Sequence, residues 1–220
     1  MIPIIIVCYN NWKYVNHTVQ QIENNNLENK SWIKIMDNSS DDPSTLDYLH
    51  GCGIPVIQRD NNGPWITPVN NCDLYEKLPD KFILTDPDLE FNSDLPCNFI
   101  EILSELSDKF SASKIGFAIS IENQETMYTD VCWRENSYWS SRIHDNKYSI
   151  YYAPIDTTFA LINKKYWGQG PDLRIADNFT CKHIPFYIKN SVLTMEEETD
   201  YYNKSKYSTT REAFFANHKN

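Results

Sequence analysis

The chain has 220 residues, 41% of them hydrophobic and 23% charged, the balance of a globular domain whose core needs no disulfide or structural metal to fold. Twenty Lys and Arg against 30 Asp and Glu leave a formal charge of −10 with no basic cluster, which excludes a nucleic-acid binder working by phosphate neutralisation. An anionic partner therefore needs a metal ion or a few well-placed donors.

Six cysteines, Cys8, Cys52, Cys72, Cys97, Cys132 and Cys181, form no C-x-x-C pair, so no zinc site is expected. The longest apolar run, Met1 to Tyr9, is too short for a membrane span and lacks a basic leader. Scattered thiols without a leader predict a reduced, cytoplasmic protein (the host cytoplasm if the source is viral).

In chain order, residues 3–8 form a short β-branched run, read as a strand buried on both faces of a parallel sheet. Val15, Val19 and Ile22 predict a helix over 12–25. Residues 32–36 are a second strand, ending at a turn cluster from Asp37 to Pro43 that can cap a helix starting near Thr45. Gly51-Cys52-Gly53 closes that helix; a third strand spans 54–58, a helix is expected around 66–77, and a fourth strand spans 81–85. Further on, a helix is predicted over 98–109, strands over 115–121 and 156–162, and an extended segment over 182–188 bent by Pro185. Residues from Thr194 are acidic, then rich in Tyr and Lys, and read as a C-terminal helix or a flap. The run Glu196-Glu197-Glu198 reads as a solvated face.

The β-α-β-α-β-α-β order implies right-handed crossovers, an α/β domain with a mostly parallel central sheet, and helices on both faces. Ligands of such sheets bind beyond the carboxyl ends of the strands. Polar residues gather at those ends: Tyr9 and Asn10, Asp37 and Asn38, Arg59 to Asn62, and Asp86 and Asp88. The first turn carries no G-x-G-x-x-G, and no P-loop is present, so phosphate must be held another way. Asp86-Pro87-Asp88, directly after an apolar strand, supplies two carboxylates that repel unless a cation joins them.

Four segments in this order resemble the GT-A glycosyltransferases, a Rossmann-like fold, especially the large family that opens on a strand, an x-x-Y-N turn and a helix. They are Ile4 to Asn10, Ile35 to Asp41, Asp60 to Pro64, and Thr85 to Asp88. Small GT-A domains of bacteria and large DNA viruses are similar. The resemblance covers residues 1–122. It implies a nucleotide-sugar donor, with UDP the favoured carrier, and Mn²⁺ or Mg²⁺ bridging the donor diphosphate to Asp86 and Asp88. It places Asp37 on the nucleotide base, and Tyr9, Asn10, Asn38, Arg59, Asn62, Gly63 and Asp86 around the donor. His183 resembles the late histidine that completes the metal shell, with a structural histidine the alternative.

Asp156 is the candidate general base for an acceptor hydroxyl, or a group that orients the sugar, against a plain turn carboxylate. Arg59 and Arg174 are candidates for phosphate or for surface ion pairs. Trp65, Trp133, Tyr138 and Trp139 are candidates to stack on sugar or base, against partly buried core residues. The expected organisation is a nucleotide-sugar half (1–122), an acceptor-side half (123–193) and a C-terminal segment (194–220) able to close over donor. The expected activity is metal-dependent transfer of a sugar to a hydroxyl of a glycan or a small acceptor. A non-catalytic sugar-binding module and a sugar nucleotidyltransferase are the alternatives.

Overall fold

The computed structural model describes residues 2–25, 32–205, 207–208 and 210–218. The first half alternates strand and helix: β1 (Ile4–Cys8), α1 (Trp12–Asn24), β2 (Ile33–Asp37), α2 (Pro43–Gly51), β3 (Val56–Gln58), α3 (Cys72–Lys77) and β4 (Lys81–Thr85). β1 pairs in parallel with both β2 and β4, and β2 with β3. The second half contributes β5 (Leu89–Phe91), α4 (Phe99–Lys109), β6 (Lys114–Ile119), α5 (Thr129–Ser137), β7 (Arg142–Ile143), β8 (Ile150–Tyr152), β9 (Ala160–Asn163) and β10 (Asp172–His183), then α6 (Met195–Lys204) and α7 (Arg211–Asn217).

All ten strands join one sheet, ordered β3-β2-β1-β4-β9-β6-β10-β8-β7, with β5 pairing β10. β9, β8 and β5 run against the other strands, because β9 inserts antiparallel between β4 and β6, while β8 and β5 pair antiparallel with β10. Seven of the ten strands therefore point their carboxyl ends the same way, as the expected mostly parallel sheet requires.

Strand periodicity divides the core into two layers. Ile4, Ile6 and Cys8 face one layer with Val15, Val19 and Ile22 of α1, Leu49 of α2, and Phe99 and Leu103 of α4. Ile5 and Val7 face the other with Leu74 of α3, Phe82 and Leu84. Helices thus cover both faces, which is why β1 is apolar at every position instead of alternating. α2 begins as expected: the Asp42 carboxylate accepts from the Thr45 amide at 2.8 Å, and Pro43 opens the helix. Among the described residues no helix is long and apolar enough to cross a membrane.

Several elements differ from the sequence reading. The helix expected over 66–77 is confined to Cys72–Lys77, because the Thr67 hydroxyl accepts from the Asn70 amide at 2.9 Å and Asn71 turns left-handed at φ 54°. The strand expected over 156–162 starts only at Ala160. Residues 156–159 form a tight loop that closes with the Phe159 amide on the Thr157 carbonyl at 2.9 Å. The longest strand, β10, was expected only from its last residues. Asp172, Arg174, Asp177 and Asn178 break its apolar run, and a register shift lies between Ile175 and Thr180. The glutamate run is not a solvated face: Glu198 is buried, and Glu197 both pairs with Lys13 and caps α6 with Thr194.

The 156–159 loop is fixed by a ring cluster. Phe159, at φ 43°, stacks on Phe117 with centroids 4.6 Å apart, and Phe91 and Phe99 close around the pair. Gly116 of β6 lies directly beneath. A Cβ there would come within 2.4 Å of the Phe159 carbonyl oxygen and 2.9 Å of the Ala160 Cα. Both are backbone atoms at the junction of the 156–159 loop, which carries Asp156, and β9. Gly116→Val is expected to lower stability by about 1–3 kcal/mol, read as a lower urea midpoint.

Candidate active site

The carboxyl ends of β1, β2 and β4 open on one cavity of about 160 Å³. Asp86 and Asp88 follow β4 immediately. The Asp86 amide donates to the Thr157 carbonyl at 2.7 Å, and the Thr18 hydroxyl of α1 donates to the Pro87 carbonyl. His183 ends β10, opposite Leu89 of β5, and the Ile184 amide donates to the Asp88 carbonyl at 2.9 Å. The backbone thus sets His183 beside the aspartates. Its Nε2 lies 3.7 Å from Asp86 Oδ2 and 3.4 Å from Asp88 Oδ1, and its ring stacks on Phe186 at 4.1 Å.

One ligand atom from each of Asp86, Asp88 and His183 falls within 4.8 Å of the others. Asp88 Oδ1 is buried without a hydrogen-bond partner. Such an orphan is costly unless a cation or water completes it. Burial, opposed by His183 and reinforced by Asp86, pushes the Asp88 carboxyl up to about 6. Burial works against the His183 imidazolium, but Asp88 and Asp86 outweigh it, and the net shift is upward. Two carboxylate oxygens and one imidazole nitrogen fit a divalent cation such as Mn²⁺ or Mg²⁺.

The wall of this cavity is built by Tyr9, Asn38, Gly63 and Trp65 together with the acidic pair. Asn38 is buried; its amide nitrogen donates to the Gly63 carbonyl at 3.2 Å, and its Oδ1 has no partner. Gly63 takes φ 86°, and a Cβ there would meet the Trp65 ring at 2.5 Å, so the indole lies directly on the glycine. Trp65 also hydrogen-bonds the Asp156 carboxylate, whose pKa is raised by burial and by the charge of Asp86. Asp156 sits on the loop before β9 and borders a second cavity of about 430 Å³ on the β10 side. The two cavities share Asp86, Asp156, Thr157 and His183 as a common wall.

Other sequence candidates lie outside that wall. The Asp37 carboxylate accepts from the Ser40 amide and hydroxyl, and its carbonyl takes the Arg59 amide at 2.8 Å. Asn10 ties the first loop to the second: its side-chain oxygen accepts from the Asp41 and Asp42 amides at 2.9 Å. Arg59 forks onto Asp73 and Asn71, and with Asn62 borders a separate shallow depression. Arg174 is buried against Glu135 at 2.6 Å. Trp133 stands 78% exposed on α5.

Sequence reasoning expected the C-terminal segment to close over donor but named none of its residues. Tyr201 and Tyr207 line the 160 Å³ cavity, Tyr207 packing edge-on against Trp65 at 5.8 Å. Their only individual signal was the Tyr-rich composition of the segment. Behind them Tyr202 is fully buried against Phe214, and Tyr201 packs edge-on against Tyr14 of α1.

No protein-family model and no curated protein sequence matches the chain. Solved structures do. The mannosyltransferase PcManGT from Pyrobaculum calidifontis, in complex with GDP-Man and Mn²⁺, superposes over 98% of this chain and 68% of its own, with TM-score 0.50 and 10% identity. GalNAc-T7 with UDP, GalNAc and Mn²⁺ superposes over 98% of this chain and 50% of its own, with TM-score 0.50 and 12% identity. TarS 1-349 of S. aureus with UDP-GlcNAc matches 58% of this chain and 38% of its own, with TM-score 0.39 and 15% identity. The chain therefore spans between 38% and 68% of these proteins' lengths. The fold is that of the GT-A glycosyltransferases.

A cation at this site competes with protons on both Asp88 and His183. Mn²⁺ affinity is accordingly expected to strengthen as pH rises through about 6, where Asp88 loses its proton, and further above the ordinary histidine range as His183 loses its own, and to be lost in Asp88→Ala; titration calorimetry reads both.

Proposed function

We propose that the protein is a metal-dependent glycosyltransferase that moves a sugar from a nucleotide-diphosphate donor, UDP favoured, to an acceptor hydroxyl. The observation that carries this reading is the Asp86–Asp88–His183 cluster standing where two cavities meet at the strand ends of a GT-A fold. The Mn²⁺ held with donor nucleotides by PcManGT and GalNAc-T7 supports the same assignment.

In this reading the smaller cavity takes the nucleotide. Asn38 Oδ1, buried and unpartnered, accepts the imide N–H of a pyrimidine base, and Trp65 and Tyr207 close over it. A divalent cation on Asp86, Asp88 and His183 would supply positive charge to the diphosphate leaving group. The chain's own residues do the rest. Asp156, placed on the shared wall and oriented by Trp65, takes the proton of the acceptor hydroxyl, and its raised pKa makes it a better base than an ordinary aspartate. Tyr201 and Tyr207 keep water from the donor side. The described part of the 194–220 segment acts as the closing flap, latched by the Lys13–Glu197 pair and the contact of Tyr201 with Tyr14.

A thermal-shift panel of UDP, GDP, CDP and dTDP, with and without Mn²⁺, tests the donor site. UDP at about 100 times its dissociation constant is expected to stabilise by roughly 2.7 kcal/mol, only with metal and not in Asp88→Ala. No shift with any nucleotide sinks the reading. Metal-dependent hydrolysis of a UDP-sugar would separate an enzyme from a binding module, and pyrophosphate release would mark a nucleotidyltransferase. Limited proteolysis between Tyr201 and Thr210 is expected to slow several-fold once UDP and Mn²⁺ are bound; unchanged cleavage would remove the flap from the mechanism.

A further inference from the structure

Asp88 stands directly before β5, a strand of three residues whose strand neighbour is β10 alone. So short a strand with one partner holds its place weakly. The ion pair across that pairing, Lys182 on Glu90 at 2.7 Å, is partly exposed on both sides and adds little. A cation cluster nevertheless needs the Asp88 carboxylate in one place.

The other edge of β5 is met by α1. The Gln21 side chain bridges two backbone groups there. Its Nε2 donates to the Leu89 carbonyl at 2.8 Å, and its Oε1 accepts from the Phe91 amide at 2.6 Å. One donor and one acceptor thus engage residues two apart, as a residue of a neighbouring parallel strand would. Three positions earlier, on the same helix face, the buried Thr18 hydroxyl donates to the Pro87 carbonyl. Successive carbonyls therefore alternate in direction. Those of Pro87 and Leu89 turn to α1, while that of Asp88 takes the Ile184 amide at 2.9 Å. The backbone of Asp88 is pinned from both sides.

Apolar packing alone does not supply this. Val15, Val19 and Ile22 of α1 share a core layer with Leu89 and Phe91, which sets how near the helix lies. Such packing is non-directional and tolerates a slide along the strand. The hydrogen bonds of Thr18 and Gln21 do not, because each names one backbone atom.

We infer that Thr18 and Gln21 are positioning residues of the cation site: they close the outer edge of β5 and hold the Asp88 carboxylate where Asp86 and His183 meet it. Neither belongs to the cluster itself. The inference rests on the cation site of the transferase reading and is independent of its donor and acceptor.

The test is a titration of the full chain with Mn²⁺, with and without UDP, followed by loss of the free ion's electron paramagnetic resonance signal. Gln21→Met keeps an unbranched side chain without either hydrogen bond, and Thr18→Val keeps the shape without the hydroxyl. Each is expected to weaken Mn²⁺ binding about tenfold. The Phe91 amide of metal-free Gln21→Met is expected to exchange faster with solvent. Ile22→Val trims the same helix inside the core and controls for lost stability; it is expected to bind Mn²⁺ as the parent does. Thr18→Val carries the test if Gln21→Met does not fold. A folded variant that binds Mn²⁺ as tightly as the parent overturns the inference, as does an equal loss in Ile22→Val, and both results leave the transferase reading standing. A parent chain that binds no Mn²⁺, alone or with UDP, sinks the cation site and this role together.

Discussion

The chemistry of this molecule depends on one short antiparallel pairing, β5 against the end of β10. Three register pairs, Cys181 with Phe91, Lys182 with Glu90 and His183 with Leu89, bring a histidine from late in the chain to two aspartates nearly a hundred residues earlier. The Ile184 amide on the Asp88 carbonyl extends the pairing by one bond. Without it two carboxylates would stand close together with only their mutual repulsion. With it they face an imidazole, and the burial that raises Asp88 also creates an environment in which a divalent cation is strongly favoured. In a chain of net charge −10, such local charge reversal is one way to meet an anionic ligand.

The two cavities differ in their walls. The smaller mixes asparagines, hydroxyls and the acidic pair with the rings of Tyr9, Trp65, Tyr201 and Tyr207. The larger gathers Arg134, Arg174 and Glu135, tied to one another, beside Lys114, Asp86, Asp156 and Asp172. Asp156 touches both, and Phe159, strained and locked among rings, keeps it there.

How far this was legible in the sequence follows from how local each signal is. β1, β2 and β4 are continuous apolar runs ended by turn formers, so their existence, order and functional ends could be read directly. Asp86 and Asp88 were legible because they sit one and three residues past such a run. His183 entered only through resemblance, since its partner strand β5 has three residues and gives no periodic signal. β10 was hidden by its own bulge and by the polar residues that interrupt its apolar run. Asn10, Asp37 and Arg59 sit at the expected strand ends. Whether such a residue faces ligand or braces a loop depends on partners 14 to 32 positions away, such as Asp73, Asp41 and Asp42, which no local pattern reveals. A closing C-terminal segment entered through resemblance, but which tyrosines it would carry to the cavity did not, because the segment's own composition specifies no partner.

The insertion of β9 also governs how the chain can be made. β1, β2, β3 and β4 can pair as soon as about 85 residues exist, but β4 then ends the sheet with an open hydrogen-bonding edge. The strand that covers that edge lies at Ala160–Asn163, and β6 gains both its neighbours only when β9 and β10 have been synthesised. At translation speeds of about 5–20 residues per second, a nascent chain carries an apolar, unpaired strand edge for several seconds. The edge left open on the ribosome therefore belongs to the same strand whose end leads into the acidic pair. Its cellular yield should depend more on how that edge is shielded during synthesis than on the stability of the finished fold.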